Sequence, residues 1–314
     1  MHTYRYTDSR ISLSSAAPHN GRHSTPQPLS AMRMLRPTLA AHCAALSTAL
    51  LLVACATSPA NPPAPDVALN AAIAGSQRSD AAKARDVYRH PQQTLQFFTI
   101  APTQRVLEIA PGGGWYTEIL APYLHDRGTL YEAQYVSPAA DAAQEERTTG
   151  AAFERKLASA PALYGNVIVG TLHAGQFSFP VNGTIDRVFT FRNIHNWIKD
   201  GQIDANLQAF YAALKPGGEL GVEEHRAAPG TSLQQMIDSG YVTEDYVITH
   251  ARAAGFTLLA RSEINANPRD TKDYPHGVWS LPPTYQGGTA DRARYAAIGE
   301  SDRMTLTFVK PLTQ

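Results

Sequence analysis

Val106-Leu107-Glu108-Ile109-Ala110-Pro111-Gly112-Gly113-Gly114-Trp115-Tyr116-Thr117 is the stretch on which the reading of the whole chain depends. An apolar run carries a carboxylate, then gives way to consecutive glycines, then to residues compatible with a helix. That order predicts a strand, a tight turn and a helix. In an open α/β sheet, ligands bind at the carboxyl ends of the strands, where such a turn is exposed. Glycine suits the turn because it lacks a Cβ. It takes φ > 0 without a clash and lets the backbone come close to a ligand.

Downstream of this stretch, apolar runs alternate with amphipathic segments, the pattern of an α/β sheet. Further strands are expected at 128–134, 166–170, 186–191, 219–225, 256–262 and 304–310. Helices are expected at 116–124, 139–157, 204–214 and 243–254. Upstream, 76–88 reads as a helix with Ser79 as its N-cap, and Pro91 opens another in which Leu95 and Phe98 share a face. The polar cluster Arg85, Asp86, Tyr88, Arg89 and His90 reads as a solvated helix face. The segment 264–300 is a long excursion rich in Pro, Gly and aromatic residues.

Glu108, Ala110, Gly112 and Gly114 fall at steps of two. This resembles the acid-x-Gly-x-Gly-x-Gly signature of class I S-adenosylmethionine (SAM)-dependent methyltransferases, with Ala110 in place of the first glycine. Ala213-Leu214-Lys215-Pro216-Gly217-Gly218-Glu219-Leu220 is similar to that family's helix-to-strand turn before the fifth strand, and Ala254-Gly255-Phe256 to its lead-in to the sixth. Gly112-Gly113-Gly114-Trp115-Tyr116-Thr117-Glu118 together with Phe191-Arg192-Asn193-Ile194-His195-Asn196-Trp197 looks like a subgroup of bacterial predicted methyltransferases. The resemblance covers about residues 76–314.

It implies a Rossmann-like seven-stranded sheet of order 3-2-1-4-5-7-6 with helices on both faces. It also implies SAM as cofactor, held by Glu108, Ala110, Gly112, Gly113, Gly114, Tyr116, Glu132, Gln134 and Arg192. Gly112 and Gly114 are expected to line the pocket, with their N–H groups turned toward the ligand. Family members end the second strand with an acid that binds the ribose diol. Here Gln134 occupies that place and Glu132 lies two residues earlier, on the same side of the strand. A helix ahead of the glycine turn often lids the pocket in this fold, which singles out Tyr88 and Arg89. As a dinucleotide fingerprint the stretch fits less well, since its third position is Thr117 rather than Gly or Ala.

Methyl transfer needs a nucleophile aligned with a sulfonium methyl, and a base if that nucleophile carries a proton. His195 is the candidate base, because an imidazole titrates near neutral pH. Asn193 is the candidate for orienting a small-molecule substrate, and Trp197 for walling the pocket. Glu224 and His225 stand second. A metal site built from Asn193, His195, Glu224 and His225 matches no standard ligand spacing, and no metal is expected. A non-catalytic binding module on the same fold and an NAD(P)-dependent oxidoreductase are the competing functions.

The chain has 314 residues with 27 basic and 27 acidic side chains. Residues 1–31 are rich in Ser, Pro, His and Arg without apolar periodicity, which predicts disorder or a start placed too far upstream. Residues 32–54 read as a signal peptide. Arg33 and Arg36 precede an apolar run of about a dozen residues, too short to span a bilayer. The run ends Leu52-Val53-Ala54-Cys55, similar to a bacterial lipobox, so a lipid on Cys55 would hold the protein at the membrane, facing the periplasm. Cleavage there removes Arg5, Arg10, Arg22, Arg33, Arg36 and Asp8, leaving 22 basic and 26 acidic residues. A mildly acidic chain has no electrostatic footprint for nucleic acid. Residues 55–75 read as a Pro/Ala-rich tether, extended by its prolines.

Overall fold

The computed structural model describes residues 66–312, apart from the side chains at 141, 143 and 145. The expectations for residues 1–31, for the signal at 32–54 and for Cys55 lie outside the described residues.

The described residues open with α1 (Val67–Ala74), α2 (Asp80–Lys83), α3 (Asp86–Arg89) and α4 (Pro91–Phe97). It continues through β1 (Arg105–Ile109), α5 (Thr117–Leu124), β2 (Thr129–Tyr135), α6 (Ala140–Ser159), α7 (Pro161–Tyr164), β3 (Ile168–His173), β4 (Gln176–Phe177) and β5 (Ile185–Phe191). Then follow α8 (Ile194–Lys199), α9 (Ile203–Ala213), β6 (Leu214–His225), α10 (Leu233–Ser239), α11 (Glu244–Ala253) and β7 (Thr257–Ser262). A 3₁₀ turn (Gly277–Ser280), α12 (Arg292–Ile298) and β8 (Arg303–Val309) complete it. No described helix is long and apolar enough to cross a membrane.

The strands form one sheet of order β4-β3-β2-β1-β5-β6-β8-β7. Strands β3, β2, β1, β5 and β6 run parallel, and β8 pairs antiparallel with both β6 and β7. Leaving out β4, this is the expected seven-strand order. The extra strand is a two-residue edge piece, made possible by Ala174 at φ 46° and Gly175 at φ 72°. Two successive positive φ values close a tight hairpin whose twist matches the strands, so part of a segment read as irregular pairs back on β3.

Side-chain alternation along the strands divides the core in two. Leu107 and Ile109 of β1 and Val188 of β5 pack with Trp197, Leu207, Phe210 and Ile248 of α8, α9 and α11. Val106 of β1 and Phe189 and Phe191 of β5 pack on the other face with Leu69, Leu95, Ile119 and Phe153 of α1, α4, α5 and α6. Successive residues of a strand point to opposite faces, so these helices cover both faces of the sheet.

Two expectations are corrected. Residues 55–75 are not all tether: Asp66 caps α1 through its bond from the Leu69 N–H, and Leu69 and Ala72 are buried in the second core. The single helix expected at 76–88 is two short ones. Arg78, buried ahead of both, bonds the Ile73 carbonyl of α1 at 2.8 Å and the Asp86 carboxylate of α3 at 2.9 Å, tying α3 back to α1. Lys215–Gly218 falls within the bounds of β6 but keeps the expected turn: Leu214 pairs with Ile185 and Glu219 with Arg187, so the four residues between bulge from the ladder. Gly217, at φ 77°, donates its N–H to the Lys310 carbonyl, and the Gly218 carbonyl accepts from the Lys310 N–H, which ties the turn to the residue after β8.

Candidate functional site

Strand β1 lies between β2 and β5, so the chain winds away from it on both sides and the turns after β1 and β5 meet. Ala110, the first residue past β1, has φ 50° and donates its N–H to the Ala133 carbonyl at 2.8 Å. An L-residue in that region costs on the order of 1 kcal/mol, and this is the position where the resembling family carries glycine. Gly112 has φ 57°, and Gly112 and Gly113 are both exposed. Neither N–H is bonded to a described residue, and a Cβ on either would have no protein atom within 4 Å. Gly114 differs. It is buried, its N–H goes to the Pro111 carbonyl at 2.9 Å, and a Cβ there would sit 2.9 Å from Phe153 Cε2. Gly114 therefore shapes the turn and does not line the pocket as expected.

Two cavities flank the turn, one of about 810 Å³ and one of about 420 Å³. Ala110, Pro111, Gly112, Asn193, His195 and Trp279 border both. The larger extends toward Arg85, Arg89, Arg192, His225 and Glu300. The smaller extends along the end of β2 to Gln134, Glu146 and Gly150. Both fall within the usual size of small-molecule sites.

Asn193 ties the two turns together. Its Nδ2 donates to the Ile109 carbonyl at 2.9 Å and to Thr190 Oγ1 at 3.2 Å. Its amide N–H groups thus brace the turns, and only its Oδ1 is without a bond to a described residue. His195 is 8% exposed, and its Nδ1 lies 3.0 Å from Glu224 Oε1. Glu224 is wholly buried and also accepts the Ile194 N–H at 2.6 Å and the His225 N–H at 2.8 Å. A carboxylate so held places the imidazole proton on Nδ1 and leaves the Nε2 lone pair free. The Trp279 ring stands edge-on to His195, 5.9 Å between centroids.

The His225 ring lies 5.3 Å from that of His195, and its Nδ1 is 2.5 Å from Ser301 Oγ. Burial first, and then repulsion from His195, holds His225 well below the usual imidazole range, so it stays neutral. His195, Glu224 and His225 offer ligand atoms within 4.8 Å of one another. The Glu224 oxygens and both Nδ1 atoms already have protein partners, which leaves two imidazole nitrogens. Catalytic zinc sites use three protein ligands.

A charged cluster borders the larger cavity through Arg85, Arg89, Arg192 and Glu300. Glu223 Oε1 accepts from Arg192 at 2.7 Å and from Arg303 at 2.8 Å, and its Oε2 accepts from the Tyr116 hydroxyl at 3.1 Å. Glu300 accepts from Arg85 at 2.6 Å and from Arg89 at 2.9 Å. Burial favours the neutral form of Glu300, but Arg89, Arg303 and Arg85 outweigh it and hold the carboxyl at about 2.

No protein-family model matches the chain, and no curated protein matches it. Solved structures do. A protein assigned as a sarcosine dimethylglycine methyltransferase from Galdieria sulphuraria superposes with a TM-score of 0.51 at 12% identity, over 76% of this chain and 89% of that one. The [4+2]-cyclase SpnF gives 0.50 at 18% identity, over 78% and 92%. A SAM-dependent methyltransferase from Aquifex aeolicus gives 0.46 at 19% identity, over 58% and 87%. The fold is that of the SAM-dependent methyltransferases. The cyclase shows that this fold alone does not fix the reaction.

Against this fold, several residues expected at the cofactor lie elsewhere. Glu108 (2% exposed) and Glu132 (0%) are register neighbours on β1 and β2, beneath α5, and line neither cavity. Tyr116 is buried, stacked on Phe191 with centroids 3.6 Å apart, and lines neither. Trp197 is wholly buried and packed on Phe210, and it still lines the smaller cavity. Arg89 is not on a solvated face: it is 4% exposed, paired to Glu300 and borders the larger cavity. Trp279, Pro282, Pro283 and Glu300 were not singled out in the sequence. The aromatic and proline content of the 264–300 excursion was the signal that it covers something.

Glu108 and Glu132 share one buried space. Thr117 Oγ1 donates to Glu108 Oε2 at 3.0 Å, whereas neither oxygen of Glu132 meets a donor. Burial raises the Glu108 carboxyl to about 7. Burial and then Glu108 itself push Glu132 well above the carboxylate range. A carboxyl raised in the folded state stabilises fully below its unfolded pKa and loses that contribution as pH climbs through the folded value. The protein should therefore lose stability between about pH 4.5 and pH 7 and above. Glu132→Gln removes one titrating group and offers Glu108 a donor, so it should stabilise the chain by about 1–3 kcal/mol at pH 8 and much less at pH 4.5. Denaturant titrations at the two pH values read this, and a gain independent of pH contradicts it.

Proposed function

We propose that this chain is a SAM-dependent methyltransferase acting on a small-molecule acceptor. The observation that carries the reading is the exposed Gly112-Gly113 turn, with free N–H groups, set between two cavities that both reach His195. The residues fit the cofactor at this turn, where side chains would fill the space the glycines leave. Ala110 to Gly113 would hold the methionyl part. Gln134 and Glu146, in the smaller cavity, would face the nucleoside. When bound, SAM supplies an electrophilic methyl group on a sulfonium.

The chain's own residues do the rest. The turn and the roof around Trp279 align the acceptor with that methyl and exclude water, and alignment alone supplies several kcal/mol. His195 Nε2 takes the proton from the acceptor's nucleophilic atom as the new bond forms. Glu224 holds the ring and stabilises the imidazolium that results.

Calorimetry of the full chain with SAM, S-adenosylhomocysteine and NAD tests this reading. Binding of the first two and not of NAD supports it. Binding of NAD alone moves the assignment to an oxidoreductase. One observation favours a second reading, a non-catalytic binding module: Gln134, at the end of β2, places a neutral amide where a carboxylate would make stronger, charge-assisted bonds to a ribose. Binding of neither SAM nor its product at millimolar concentration would select that reading.

We further propose that Cys55 is acylated and anchors the domain at the envelope. Cys55→Ser should abolish incorporation of labelled palmitate and release the protein from the membrane fraction or leave its signal uncut. Wild-type protein that takes up no label and fractionates with cytosol refutes the anchor.

A further inference from the structure

The larger cavity carries more positive charge than the chain neutralises. Arg85, Arg89, Arg192 and Arg303 converge on two carboxylates, Glu223 and Glu300. Four guanidiniums against two carboxylates leave two positive charges in excess. The groups are largely out of water: Arg303 is 1% exposed, Arg89 4%, Glu223 0% and Glu300 5%. Buried charges are ordinarily paired, because the desolvation penalty is several kcal/mol per ion. Arg85 Nη2 is buried without any partner. Burial, and then repulsion from Arg192, pulls the Arg89 guanidinium down to about 9, against the attraction of Glu300. The Trp115 ring fixes Arg89 in place, 4.7 Å from its guanidinium carbon.

We propose that Arg85, Arg89 and Arg192 form an oxyanion-binding subsite, and that the acceptor is therefore an acidic small molecule bearing carboxylate or phosphate groups. This rests on the methyltransferase reading for the word acceptor, but not for the anion. Guanidiniums suit the role because their planar forks bind carboxylate and phosphate in bidentate fashion. The donor does not supply the missing charge. SAM carries a sulfonium, an ammonium and one carboxylate, a net positive molecule that an excess of cations repels. The glycine-turn side is balanced instead, since Lys156 pairs with Glu118 there. Phe191, Trp279, Pro282 and Pro283 line the same cavity with apolar surface, so the acidic group is expected on an apolar body.

The test uses the full-length chain at low ionic strength, where the subsite is least screened, titrated with inorganic phosphate and separately with succinate. Binding of either is expected, weakened by salt. Which of the two binds tells phosphate from carboxylate. Arg85→Gln should lower that affinity by about tenfold or more, the loss of one charge-assisted contact. Arg85 is partly exposed, and Glu300 keeps Arg89 and Arg303 as partners, so the variant is expected to fold. Glu300→Gln, which adds to the excess charge, should shift the affinity the opposite way. S-adenosylhomocysteine affinity should be unchanged in Arg85→Gln. No binding of either anion at tens of millimolar, or equal affinity in wild type and Arg85→Gln, overturns the subsite. A parallel loss of S-adenosylhomocysteine affinity also overturns it, by giving the cluster to the donor's own carboxylate. Failure of the wild type to bind SAM while the anion binds would remove the methyltransferase reading and leave the subsite standing.

Discussion

His195→Ala should lower turnover by about 10²–10⁴-fold, the usual contribution of a positioned general base, while SAM binds as in wild type. The imidazole is held from behind, its Nδ1 on Glu224 and its ring beside Trp279, so removing it leaves the backbone of the turn in place. Glu224→Gln probes the same pair differently. The amide can keep a bond to Nδ1 but no longer compensates an imidazolium, so turnover should fall with a changed pH profile while the protein stays folded. Single-turnover assays beside direct binding measurements separate the two effects. A His195→Ala variant with full turnover would reduce the residue to a brace for its own loop. One that loses SAM binding and turnover in equal measure would place it in the cofactor pocket.

Gly112→Val and Gly114→Val should fail in different ways. At Gly112 no protein atom lies within 4 Å of a new Cβ. A valine there projects into the cavities and raises backbone strain by about 1–2 kcal/mol at φ 57°. SAM affinity should fall by roughly 100-fold or more, about 3 kcal/mol, with a smaller change in stability. At Gly114 the Cβ would stand 2.9 Å from the Phe153 ring, in a buried turn with φ 79°. Overpacking and backbone strain together should destabilise the fold by about 3 kcal/mol, with SAM affinity changed only as far as the fold is lost. Thermal unfolding and calorimetry on both variants read these outcomes. Equal SAM affinity in wild type and Gly112→Val would remove the turn from the cofactor site.

The alternation of apolar runs with amphipathic segments determined the fold class, and the resemblance carried by the glycine turn implied the order of the sheet. A parallel sheet buried on both faces writes its strands as apolar runs, and β1, β5 and β6 are legible for that reason. The glycine turn was equally legible, since few other residues accept its φ values, and so was His195, in a polar segment directly after β5. Which polar residues face the cavities was not. Glu108 and Tyr116 sit in the sequence pattern of a cofactor site, yet α5 packs over the first and Phe191 over the second. A strand's period of two assigns a residue to a face, but not to the covered or the open part of that face. Arg85 and Glu300 pair across 215 residues of chain, and Trp279 reaches His195 from the 3₁₀ turn of the long excursion. Such partners have no local signature, because their energy comes from burial and charge that exist only once α3, β6 and β8 are packed together. The sequence by itself determined the sheet, its glycine turn and the place of His195. Only the tertiary structure decided that two carboxylates are sealed under α5 and that an excess of guanidiniums faces the cavity, since desolvation and ion pairing are properties of the packed core.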